Sequence, residues 1–176
     1  MKNLFSSLVV AFSGLILLSG CNNDDDMVQI EQEFLKASVD GEEFMVNGSN
    51  LIVQCQKLTT EFGSINLKVK VETEEGKTIE FLVLNYNGKR YYPIGNPTPS
   101  LDNTFLNRNW MNYAETSPQG FWSTNHKNMI GDGDFLEITE DDGIYLSGSF
   151  SFVALDAVGA SWRSVSDGNF KIKIDW

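Results

Sequence analysis

Histidine occurs once in the 176 residues, at position 126, and cysteine twice, at positions 21 and 55. A zinc site with several histidines is therefore excluded. A Ser-His-Asp triad would have to use His126, yet neither a Gly-x-Ser-x-Gly elbow nor any comparable context is present. Basic residues are scarce as well: 13 Lys and Arg stand against 24 Asp and Glu, for a pI near 4.4. Nucleic-acid binding draws on Lys and Arg neutralising phosphates, and the few here are scattered, so that class is excluded and an anionic membrane surface is disfavoured as a partner. No segment of 12 or more residues sustains a helical period, and only Leu101 to Leu106 suggests a single turn.

The one long apolar stretch lies at the start. Met1-Lys2-Asn3 supplies a positive beginning, Leu4 to Leu18 is uncharged and mostly apolar, and polar sequence resumes at Asn22-Asn23-Asp24-Asp25-Asp26. That stretch is shorter than the ~20 apolar residues of a spanning helix and has the layout of an export leader. Leu18-Ser19-Gly20-Cys21 resembles the bacterial lipoprotein lipobox. The resemblance implies cleavage before Cys21, a diacylglyceryl thioether on its sulfur and an acylated amino terminus, which together give a stable membrane anchor. Cys21 followed closely by acidic residues also resembles the surface-export signal of Bacteroidota lipoproteins, which implies an outer-membrane protein facing the exterior. The chain thus divides into a leader over 1–20, a lipidated acidic tether over 21–32 and one domain over 33–176. Lys2 is the only charge in the leader, so the remaining 156 residues carry 12 basic and 24 acidic groups. A domain of this size buries roughly 68–70% of its unfolded surface and needs no disulfide staples.

An acylated Cys21 cannot form a disulfide, which leaves Cys55 as the only free thiol. In Leu51-Ile52-Val53-Gln54-Cys55 it shares a strand face with Leu51 and Val53, so it is expected to pack as a small hydrophobe.

From Phe34 onward the dominant period is two. Ile65, Leu67, Val69 and Val71 face one way and Asn66, Lys68, Lys70 and Glu72 the other; Phe170, Ile172, Ile174 and Trp176 repeat the pattern, as do Leu146, Phe150 and Phe152. Asp40-Gly41, Asn47-Gly48, Asn87-Gly88, Asp142-Gly143 and Asp167-Gly168 border these runs and suit hairpin turns that need positive φ. An all-β fold follows: an antiparallel sandwich of about eight to ten strands, with a lipocalin-like barrel as the alternative. The stretch from Pro93 to Ile130 is less regular and reads as loops.

Phe34-Leu35-Lys36-Ala37-Ser38-Val39-Asp40-Gly41, Tyr91-Tyr92-Pro93-Ile94-Gly95, Leu136-Glu137-Ile138-Thr139, Leu146-Ser147-Gly148-Ser149-Phe150-Ser151-Phe152 and Ser166-Asp167-Gly168-Asn169-Phe170 occur in the order seen in a family of small Bacteroidota lipoproteins. The chain resembles that family over most of the expected domain and least around Asn107 to Asn128. No catalytic residue carries over from the resemblance.

Within that middle stretch Trp110, Tyr113, Phe121 and Trp122 alternate with Asn107, Asn109, Asn112, Gln119 and Asn125. Aromatic faces flanked by amides suit a sugar, and Trp110, Tyr113 and Trp122 are the candidate ligand-binding residues. Packing at the sandwich edge accounts for the same rings. Trp162 is expected in the core, because adjacent strand residues such as Trp162 and Arg163 face opposite ways. Gly131-Asp132-Gly133-Asp134 with Glu137 fails the calcium-loop pattern and reads as solvated turns, so no metal and no cofactor are expected. The resulting expectation is a non-catalytic, membrane-anchored binding or interaction module whose partner is a glycan or a surface protein. The competing expectations are a carrier of a small apolar molecule and a carboxylate-dependent glycoside hydrolase.

Overall fold

Alternating burial along β4 (Ile65–Glu72) shows how the sequence makes its sheet. Leu67, Val69 and Val71 are fully buried, while the polar residues between them stay partly exposed. The computed structural model describes residues 33–48, 52–95, 108–127 and 133–175. The expected leader and tether, with Cys21, lie outside the described residues, as does Trp176.

The remaining strands are β1 (Phe34–Val39), β2 (Glu42–Asn47), β3 (Ile52–Thr59), β5 (Thr78–Val83), β6 (Arg90–Pro93), β7 (Trp110–Thr116), β8 (Gln119–Ser123), β9 (Phe135–Asp141), β10 (Tyr145–Leu155) and β11 (Trp162–Lys173). They form one eleven-stranded antiparallel sheet, which runs β2-β1-β11-β10-β8-β7-β5-β4-β3, with β9 and then β6 branching from β10. β10 carries both branches: its first half pairs with β9, and Leu155 at its far end pairs with Ser123 of β8. The sheet turns at that corner and folds over itself as a sandwich.

Phe81 of β5 meets Phe170 of β11 at 5.6 Å and Phe150 of β10 at 6.5 Å, so these rings join the two leaves. They belong to a core that also takes in Leu35, Phe44, Ile79, Met111 and Ile172. The sheet is not closed into a barrel. Beyond β11 a single parallel bridge links Gln56 to Asp175; Asp175 N–H donates to Cys55 O (2.7 Å) and Cys55 N–H to Asp175 Oδ2 (3.0 Å).

Two expectations are corrected here. The stretch read as loops contains the β7–β8 hairpin, whose paired residues Asn112 and Ser123 are polar although buried and so obscured the period. Asp167-Gly168 is a bulge inside β11 and not a hairpin turn. The pairing with β10 shifts between Phe150 and Phe152, and Asp167 adopts φ 54°. Gly168 is needed there because a Cβ would lie 2.5 Å from the Phe150 ring. Asp40-Gly41, by contrast, is a two-residue hairpin turn with both φ values positive, 53° and 89°.

Candidate functional site

The bulge at Asp167 decides which side chains reach the end of the sandwich. Counting back by twos from buried Phe170 would put Trp162 inside, but one inserted residue reverses the facing of everything before it. Val165 is therefore buried and Arg163 turns inward, while Trp162 is 60% exposed. The expectation of a core Trp162 is thus overturned.

Arg163 joins the two leaves. Its guanidinium carbon lies 4.1 Å from the Trp122 ring centroid, and its nitrogens lie 3.5 Å from Asp40 Oδ2 and 3.9 Å from Glu115 Oε2. Trp122 stacks on Tyr113 at 5.9 Å with a 30° interplanar angle. Its Nε1–H donates to Ser161 Oγ (2.9 Å), which donates in turn to Asp156 Oδ2 (2.7 Å). Tyr113 is 1% exposed and its hydroxyl donates to Glu115 Oε1 (2.7 Å). Burial first, and then the bond to the Glu115 carboxylate, hold this phenol well above its ordinary pKa.

The three candidate aromatics therefore separate. Tyr113 and Trp122 form a cross-strand pair covered by Arg163. Trp110 lies on the other side of β7, half-buried and opposite Leu82 of β5. Three residues apart on a strand is an odd number, so Trp110 and Tyr113 cannot share a face.

On the outer face, Trp162, Ser164 and Ser166 line a shallow concavity of about 540 Å³ together with Asp40, Gly41 and Arg163. The Asp40-Gly41 turn is fastened to this shelf: Asp40 N–H donates to Ser164 O and Ser164 N–H to Asp40 Oδ1, both at 2.8 Å. Ser166 Oγ donates to Asp167 Oδ2 at 2.9 Å. An exposed indole beside hydroxyls, a carboxylate and a guanidinium offers an apolar face with polar groups at its rim. The only signal for this shelf in the sequence was the Asp167-Gly168 pair, which specifies a bulge as readily as a turn.

Other sequence candidates have structural partners. His126 Nδ1–H donates to Leu155 O (2.7 Å), and the ring meets Phe121 edge-on at 6.0 Å. Asp134 is buried, paired with Lys127, and accepts the Val153 N–H at 2.9 Å; Asp132 lies outside the described residues. Among the described residues, no group of three or more His, Cys, Asp or Glu is placed to hold a metal ion. Cys55 is fully buried, as expected of a small hydrophobe, and its thiol is pushed up to about 12, chiefly by burial and then by the Asp175 charge.

No protein-family model, curated protein or solved structure matches this chain.

Proposed function

We propose that this protein is a surface-exposed outer-membrane lipoprotein, tethered through lipids on Cys21, whose domain binds glycans on the Trp162 shelf. The observation that carries the reading is the exposed Trp162 indole at the sandwich end, with Asp40, Ser164 and Ser166 around it. An apolar sugar face stacks on an indole while its hydroxyls exchange hydrogen bonds with the rim. The acidic tether favours extension away from the bilayer, since like charges repel and short polar tracts do not pack. Binding without catalysis suits the acids of this end: Asp40 and Glu115 both flank one guanidinium, which stands where a hydrolase would need a scissile bond.

Titration of the purified lipoprotein against a glycan array tests the assignment. Trp162→Ala is expected to abolish the signal while Trp110→Ala leaves it intact. Binding that survives Trp162→Ala, or an array with no ligand, removes the glycan shelf. Mass spectrometry of protein from its native host tests the anchor: a cleaved chain with a lipid-modified Cys21 is expected, and an unmodified thiol there refutes it.

A further inference from the structure

A second surface lies on the opposite side of Arg163, along β2. Among the described residues this strand is the last of its leaf and pairs only with β1. The bond from Gly48 N–H to Glu33 O (3.1 Å) joins directly opposed residues and so fixes the phase of the ladder. Val46, Phe44 and Glu42 are then the residues that exchange bonds with β1. The N–H and C=O groups of Glu43, Met45 and Asn47 point away from β1 to the open edge, where they meet no partner among the described residues. Phe44 and Val46, buried to 2% and 4% exposure, hold the strand in the core while it presents that edge.

The edge is accessible, with Met45 49% exposed. It borders a groove of about 330 Å³ whose other wall is the β4–β5 turn, with Thr73, Glu74, Glu75 and Lys77. The groove continues past Glu43 into a depression of about 200 Å³ floored by Tyr113 and Glu115. Its lining is strongly acidic, and its cations are already engaged: Lys77 Nζ lies 3.8 Å from Glu75, and Arg163 sits between Asp40 and Glu115.

We propose that the free edge of β2 is a strand-addition site for an extended, lysine- or arginine-rich segment of a partner protein, whose backbone pairs with Glu43, Met45 and Asn47 while its basic side chains meet Glu43, Glu74 and Glu75. Two independent features define that occupant. The alternate unpaired backbone groups require an extended chain, since a β-edge pairs with a strand and with nothing compact. The carboxylates on both sides of the groove require positive charge on it. A second copy of this chain would bring the same acidic groove and the same net negative charge, so it fits poorly. The pairing residues Glu43, Met45 and Asn47 and the acids Glu74 and Glu75 do not line the Trp162 shelf, so each site can fail without the other.

The experiment uses the purified full-length lipoprotein in detergent and a synthetic peptide of about eight residues alternating Lys and Val, an ordinary strand length. Fluorescence anisotropy is expected to show binding that weakens with salt. Two N-methylated versions of the peptide, one blocked on each backbone edge, separate pairing from charge attraction. One version should bind at least about tenfold more weakly than the other, the effect of losing two or three backbone hydrogen bonds. Glu74→Gln with Glu75→Gln should weaken binding and flatten its salt dependence. Met45→Pro removes an edge N–H without touching the β1 ladder and should weaken binding of the unmodified peptide; the N-methyl comparison needs no folded variant. Trp162→Ala should leave peptide binding unchanged. Equal binding of both N-methylated peptides, no binding of the parent peptide, or dimerisation of the protein through β2 overturns the proposal.

Discussion

The Arg163 guanidinium covers the face of Trp122 at 4.1 Å while lying within 4 Å of both Asp40 and Glu115. One side chain from β11 thereby ties the β1–β2 turn to the β7–β8 hairpin across the sandwich. Arg163→Ala removes a partly buried cation–π contact and leaves the Asp40 and Glu115 carboxylates without their shared cation, so a loss of about 1–2 kcal/mol is expected, solvent screening at Asp40 included. Arg163→Lys keeps the positive charge but loses the planar stacking, and should fall between the wild type and the alanine variant. Urea unfolding followed by tryptophan fluorescence measures both. A change below about 0.5 kcal/mol for the alanine variant would place this contact among ordinary surface pairs.

How legible this end was in the sequence depends on one residue. The strands of β4 and β10 announce themselves because Leu67, Val69 and Val71, or Phe150 and Phe152, alternate with polar residues and one face is buried. β11 shows the same period after Gly168, but the inserted residue at Asp167 reverses facing before it, which period-counting from Phe170 cannot register. Trp162 and Arg163 consequently exchange places relative to expectation. Pairing partners were less legible still. Which strand lies at an edge depends on contacts between residues far apart in the chain, such as Cys55 with Asp175, and local pattern carries no information about them.

At the opposite region of the interface between leaves, Lys57 Nζ lies 2.8 Å from both oxygens of Asp141, and the Tyr86 hydroxyl donates to Oδ2 at 2.7 Å. Burial is the largest single influence on this carboxyl and acts upward. The bonds from Lys57 and Tyr86 together with the Lys57 charge outweigh it, so the Asp141 pKa ends below its ordinary value. A carboxyl with a depressed folded pKa contributes stability that is complete above the unfolded value and is lost as pH falls through the folded one. The wild-type protein should therefore lose stability between about pH 5 and pH 2, and Asp141→Asn should lose less over that interval while starting lower at neutral pH by about 1–3 kcal/mol. Guanidinium midpoints for both proteins across that range decide it. Parallel pH curves would show that other carboxylates carry the acid sensitivity.

The contact between Gly168 and Phe150 is a close-packing constraint inside the bulge. An added Cβ at 168 would meet three ring atoms at 2.5–2.6 Å, a separation that forces the ring or the strand to move. Gly168→Ala is expected to destabilise by about 1–3 kcal/mol through overpacking. Phe150→Leu opens space at the same point, so the double variant should be less destabilised than the sum of the singles, with a coupling of about 0.5–2 kcal/mol. Additive effects in thermal or urea unfolding would mean that the Phe150 ring is not what the added methyl group displaces. Trp162 exposure follows from this bulge, so acrylamide quenching of tryptophan fluorescence in Gly168→Ala reports whether the shelf keeps its geometry.

Cys55 offers a direct test that links the core to the anchor. Its thiol is fully buried, its backbone is bonded on both sides to Asp175, and its pKa of about 12 leaves almost no thiolate at neutral pH. A thiol reagent should therefore modify native protein only as fast as the sandwich opens, with a rate that rises in parallel with urea-induced unfolding. Rapid labelling under native conditions would contradict the packing of β3 against the end of the chain. In denaturant the count of reactive thiols distinguishes the fate of Cys21. Protein from the native host should show one thiol, Cys55, when Cys21 carries its lipid. Material expressed without a leader but retaining Cys21 should show two. Two thiols in the native-host protein would remove the proposed anchor without bearing on the sandwich, whose described contacts bury Cys55 among residues 33–175.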